Sequence, residues 1–172
     1  MEKSGGENTS IMNNLFNNLK AKMIESELST PDEILGCSEQ EIAEIETRFK
    51  MNLPATYREF LHQMGNCAGW FLEGTDVYFP QLLDCRKVAE RLMKEDGAEF
   101  SLQPTWFVFL QHQGYQFMYF DSMEKDGDPP VFRYLEGDKQ PKQIADSFSQ
   151  WLTACVEQES ELNKKVKNSR PG

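Results

Sequence analysis

The 172-residue sequence is poor in the groups that most chemistry needs. It has two histidines, four scattered cysteines and only 18 Lys plus Arg against 28 Asp plus Glu. Each shortage excludes something. No C-x-x-C pair occurs, and no histidine lies near Cys37, Cys67, Cys85 or Cys155 at ligand spacing, so neither a zinc site nor a dithiol motif is indicated. The cysteines read as reduced core thiols. No apolar run approaches the roughly 18 to 20 residues of a bilayer-spanning helix, and the start, Met1-Glu2-Lys3-Ser4-Gly5-Gly6, lacks the basic-then-apolar order of a secretory signal. The expectation is a soluble, cytoplasmic protein without membrane contact.

Positive charge is scarce where it would matter for nucleic acid. The net charge is −10, and because Lys164, Lys165, Lys167 and Arg170 sit at the end, residues 1–160 carry 14 basic and 27 acidic side chains, a net of −13. Duplex DNA presents a phosphate charge every ~1.7 Å of axis and is bound largely through Lys and Arg that release its counterions. Direct nucleic-acid binding is therefore not expected. A field of this sign repels anionic substrates and draws in basic partners, although acidity by itself also serves solubility.

Catalytic patterns are missing too. No G-x-S-x-G elbow and no glycine-rich phosphate loop occurs, and no cysteine has an orienting histidine at a recognisable local spacing. Glu59-Phe60-Leu61-His62 has E-x-x-H spacing, but a di-iron bundle needs a second such helix and two further Glu, so the plain reading is an exposed helix face. His112 falls at a turn. Asp121, Glu124, Asp126 and Asp128 invite calcium, yet they lack the D-x-[DN]-x-[DN]-G order and the distal Glu. No catalytic residue, metal ligand or cofactor is assigned, and an enzyme is not expected.

What is present is a clear alternation of helix and strand signals. Apolar residues make up 39% of the chain, and a chain of this length buries about 70% of its unfolded surface, so one real core is available. Residues 1–30 read as an N-terminal extension, disordered to residue 9 and then weakly helical through Ile11, Leu15, Leu19 and Met23. Ser38 with Glu41 forms a capping box ahead of Ile42, Ile45 and Phe49. Leu53-Pro54 restarts the chain into a helix through Tyr57, Phe60, Leu61 and Met64, which Gly65 is expected to end in a left-handed conformation.

Residues 70–79 read as strand and 81–95 as helix. Two aromatic-rich runs, 105–110 and 115–121, around His112-Gln113-Gly114 predict an antiparallel hairpin whose first strand is interior. A third strand covers 131–135, and a helix from about Lys142 carries Ile144, Phe148, Trp151 and Leu152. The pattern is α+β, a central antiparallel meander flanked by N-terminal helices and a C-terminal helix, in one domain over 31–160 with a basic, disordered tail from 161 to 172. Trp106, Val108, Phe109, Phe117, Phe148, Tyr57, Phe60 and Ile45 are expected to share one core.

At Glu41-Ile42-x-x-Ile45-Glu46-x-x-Phe49, then Leu53-Pro54-x-x-Tyr57-Arg58-Glu59-Phe60-Leu61, the chain resembles the SUKH superfamily, which includes the fungal Smi and Knr cell-wall regulators and many bacterial immunity proteins. Gly65 to Gly69, the hairpin ending Phe120-Asp121, the strand 131–134 and Ser147-Phe148-x-x-Trp151-Leu152 extend the resemblance over about residues 36–156. Where the family has Asn-Gly-Gly, this chain has Asn66-Cys67-Ala68-Gly69. The resemblance implies a non-catalytic protein-binding domain, either an immunity protein that neutralises a polymorphic toxin, a nuclease being one such toxin, or a regulatory scaffold of the fungal kind. With the acidic balance, it points to a basic toxin domain as partner. The expected surface comprises Trp70, Glu73, Asp76, Asp126, Asp128 and Tyr134, because carboxylates steer a basic partner and Trp and Tyr anchor interfaces.

Overall fold

The computed structural model describes residues 4–124 and 127–169, with side chains from Ser10 onward. Helix α1, Ser4–Glu25, starts inside the stretch expected to be disordered. Its asparagines favour caps and turns over helix interiors, and what holds the helix is docking. Phe16, Leu19 and Met23 are buried, and Leu28 N–H closes its end on Met23 O at 2.9 Å.

The capping box at Ser38 forms as the sequence predicts. Ser38 Oγ accepts from Glu41 N–H at 3.3 Å, and Glu41 Oε2 accepts from Ser38 N–H at 2.7 Å, starting α2, Glu39–Phe49. Helix α3, Ala55–Met64, follows Pro54 and ends at Gly65. Gly65 is not left-handed, since its φ is −71°. Space selects glycine there instead: a Cβ would lie 2.6 Å from both Cys37 Sγ and Leu61 O. Strands β1, Ile34–Leu35, and β2, Cys67–Ala68, form a small antiparallel pair across these helix ends.

Residues 70–79 are not a continuous strand. Gly69, Leu72 and Gly74 all have positive φ, a sequence of turns that no extended strand accommodates, and only β3, Thr75–Asp76, pairs with the sheet. A 3-10 turn, Gln81–Asp84, leads into α4, Cys85–Asp96. The hairpin is β4, Trp106–His112, and β5, Gln116–Asp121, turned by Gln113 and Gly114 at φ 47° and 81°. Then follow β6, Val131–Leu135, β7, Lys142–Ala145, and α5, Phe148–Asn168. The larger sheet has the order β3-β4-β5-β6-β7, antiparallel throughout, so the fold is α+β and β4 is interior.

Two further expectations fail at the C-terminal end. Residues 142–145 pair with β6 rather than opening the last helix, and Ile144 is partly exposed on an edge strand. Its four-residue spacing from Phe148 fits a helical stripe equally well, so the pattern could not reveal the break. The expected disordered tail is helical as far as Asn168, because its polar groups are engaged: Asn163 Nδ2 donates to Ser26 O at 2.8 Å, and Lys167 pairs with Glu27. Residues 170–172 lie outside the described part.

One cluster of buried residues joins the elements, in two layers around the sheet. On one face Phe107, Phe109 and Phe120 meet Tyr57, Phe148 and Trp151 at centroid distances of 5.0 to 6.2 Å. On the other, Trp106, Tyr119 and Phe132 stack in a row across three strands, at 4.6 and 5.4 Å. Trp106 thus lies across the sheet from Tyr57 and is only half-buried. Helix α1 runs in the same direction as α5 beside it, with Lys22 on Glu157 at 3.3 Å and Ser26 Oγ on Ser160 Oγ at 3.0 Å. Among the described residues no helix is long and apolar enough to cross a membrane.

Candidate protein-binding surface

The turn from Gly69 to Gly74 is braced at nearly every residue. Phe71 N–H donates to Ala68 O at 3.2 Å, Glu73 N–H to Trp70 O at 3.1 Å and Thr75 Oγ1 to Leu72 O at 2.7 Å. Tyr78 OH donates to Phe71 O at 2.7 Å from within the domain. Phe71 and Leu72 are buried on either side of the turn. Gly69 is required twice over, by its φ of 64° and because a Cβ would sit 2.7 Å from Ser29 Oγ. Leu72 at φ 55° is an unusual place for a branched side chain, and such strain persists only where the surroundings enforce it. Here they are the buried leucine itself and Glu159 of α5, whose Oε2 accepts Leu72 N–H at 3.0 Å.

Trp70 stands at the apex of this turn. Its N–H donates to Leu28 O at 2.8 Å, yet its side chain is 62% exposed. Exposing an indole forgoes much of the burial that an aromatic ring usually contributes to a domain. Glu73 is exposed three residues on. Asp32 and Glu33, both exposed, lie in the 3-10 turn between Leu28, which accepts the Trp70 N–H, and Ile34, which pairs with Ala68; Glu33 Oε2 accepts from Thr30 N–H at 2.8 Å. Leu35, 52% exposed, continues the apolar surface opposite Cys67. Sequence reasoning missed Asp32, Glu33 and Leu35, because a two-residue strand pair leaves no periodicity to read.

The other expected surface residues are dispersed. Asp76 accepts from the Gln111 amide and is half-buried beside the turn. Asp128 lies elsewhere, holding Ser149 at the start of α5; ten residues separate Ser149 from Glu159, about 15 Å along a helix. Tyr134 is not on the surface at all. It is fully buried against Phe117 and Phe100, on the face of the sheet that carries Tyr119 and Phe132, and its hydroxyl donates to Asp96 at the end of α4. Asp126 lies outside the described residues. The structure therefore places Trp70 and Glu73 on one turn, with Asp76 engaged on the strand that follows, and puts Asp128 and Tyr134 elsewhere.

Three of the cysteines and the E-x-x-H pair are shielded or engaged. Burial pushes the thiols of Cys37, Cys85 and Cys155 up to about 12, so they stay protonated and poorly nucleophilic. All four cysteines are free. His62 Nε2 lies 3.1 Å from Glu39 Oε1, while Glu59 accepts from Gln63 at 2.6 Å, so the E-x-x-H pair is divided between two local networks. Among the described residues no group of three or more His, Cys, Asp or Glu converges as metal ligands do.

Residues 36–154, more than half of the chain, match the SMI1 / KNR4 family (SUKH-1), and the chain belongs to that family. No curated protein matches it.

Proposed function

We propose that this SUKH-1 domain is a non-catalytic inhibitor, an immunity protein that binds a basic toxin domain in the cytoplasm and blocks it by occupying its surface. The observation that carries the reading is Trp70, held open to water on a braced turn that also carries Glu73. A domain gains nothing in stability from an exposed indole, whereas tryptophan is the residue most favoured at the energetic centre of interfaces. The net charge of −10 supports the same partner class, because toxins that cleave nucleic acid need basic surfaces and an acidic inhibitor is steered onto them.

The test is co-expression with each neighbouring reading frame. Cells expressing a toxic neighbour should survive when this chain is present and die when it is absent. Equal death in both conditions removes the immunity reading.

A further inference from the structure

The turn that carries Trp70 also specifies the group that meets it. At 62% exposure, most of Trp70 is open to solvent and accessible to a partner group. The backbone beneath is fixed through Leu28 O and, two residues later, through Glu159. The exposed carboxylates nearest in the chain are Glu73, whose N–H donates to Trp70 O, and Asp32, in the short turn between Leu28 and Ile34; Glu33 is taken up by the Thr30 N–H. The chain as a whole carries a net charge of −10, and Lys167 is engaged by Glu27.

We propose that Trp70 is a seat for an arginine side chain of the bound protein, with the guanidinium flat on the indole and its N–H groups reaching the exposed carboxylates of Glu73 and Asp32. The inference rests on the reading of this turn as a partner-binding surface and adds the chemistry of the contact. The indole face carries the negative lobe of the ring quadrupole and attracts a cation, tryptophan most strongly of the aromatics. Arginine fits better than lysine because its guanidinium is planar, less strongly hydrated and able to donate sideways to carboxylates while it stacks. Lysine brings the same charge as a compact, well-hydrated point, and so gains from the carboxylates but less from the ring.

Fluorescein-labelled Gly-Arg-Gly-Arg-Gly and its lysine and glutamine counterparts, titrated by anisotropy against the full chain at low salt, separate these contributions. The arginine peptide should bind Trp70→Leu about 5- to 30-fold more weakly than wild type, and Trp70→Phe should fall between. The lysine peptide should lose much less on Trp70→Leu, and the glutamine peptide should bind neither protein. Asp32→Asn with Glu73→Gln should weaken both cationic peptides and flatten their salt dependence. Unchanged melting temperatures confirm that the variants fold. The proposal is overturned if Trp70→Leu binds the arginine peptide within twofold of wild type, or if the lysine peptide is equally sensitive to the substitution. Failure of rescue with this peptide order intact removes the toxin as partner and keeps the arginine seat; rescue with the peptide order absent removes the seat alone.

Discussion

Asp128 accepts both the backbone N–H and the hydroxyl of Ser149, at 2.9 and 2.5 Å, and so caps α5 from a distant loop. Ser147 already caps the same helix by accepting from Gln150 N–H at 3.1 Å. Between them they satisfy two of the N–H groups that a helix start leaves without partners. Asp128→Ala should lower unfolding stability by about 1 to 2 kcal/mol in urea denaturation. The same substitution should leave partner association unchanged, since the residue lies far from Trp70; a slowed association would put this loop in the interface.

Tyr57 is surrounded by rings of Phe60, Phe107, Phe109, Phe120 and Phe148 at 5.1 to 6.0 Å, and its buried hydroxyl has no hydrogen-bond partner among the described residues. Burial pushes its pKa well up. A buried polar group without a partner carries a desolvation penalty of about 1 to 3 kcal/mol, so Tyr57→Phe should leave stability unchanged or raise it. Phe60→Ala, which removes a fully buried ring from the same cluster, should lower stability by about 3 to 5 kcal/mol. A loss above about 1 kcal/mol for Tyr57→Phe, by the usual net value of one hydrogen bond, would reveal a partner for the hydroxyl.

Two carboxylates should give stability profiles of opposite sign. The Tyr134 hydroxyl and the Gly137 N–H hold Asp96 below the usual aspartate range. A depressed native pKa contributes stability that is present above the unfolded value and lost as pH falls through the native one. Asp96→Asn should therefore melt lower than wild type at pH 7, with the gap closing in acid. Burial raises Glu159, only partly offset by the Leu72 N–H. Its native state takes up a proton before the unfolded chain does, so wild-type stability gains as pH falls through the raised value. Glu159→Gln keeps an acceptor for Leu72 and should melt at or above wild type at pH 7, an advantage that shrinks toward acid. Slopes of the same sign for the two variants would contradict one of the two assignments, and no pH dependence in either would contradict both.

The elements most legible in the sequence were those whose signals are local. The Ser38 to Glu41 box, the Tyr57 to Met64 stripe and the hairpin around Gly114 each depend on neighbours a few residues apart, and each forms. Elements set by distant contacts were not legible. Helix α1 has four asparagines in its middle and is held by α3 and α5, and residues 161–168 stay helical by pairing with α1. The site was less legible. Trp70 and Glu73 share a turn where the aromatic and β-branched residues of 70–79 suggested a strand, and Tyr134 alternates with polar neighbours on a strand covered on both faces. Asp128 carries the signature of an ordinary acidic loop and gives no hint of its distant partner.

Interface charge and interface packing should separate kinetically. If a basic partner is steered by the exposed carboxylates of this surface, Asp32→Lys with Glu73→Lys reverses the local field without disturbing the fold, as both side chains are exposed. Association with the partner should slow and lose most of its salt dependence, because at physiological ionic strength charges act over only about 8 Å. Dissociation should change little. Trp70→Ala should do the reverse, leaving association nearly intact and speeding dissociation, since interface anchors act mainly on the off-rate. Stopped-flow mixing at two salt concentrations reads both quantities. A double reversal that changes neither association nor its salt slope would rule out electrostatic steering at this surface, while leaving the tryptophan contact to be judged by its own off-rate.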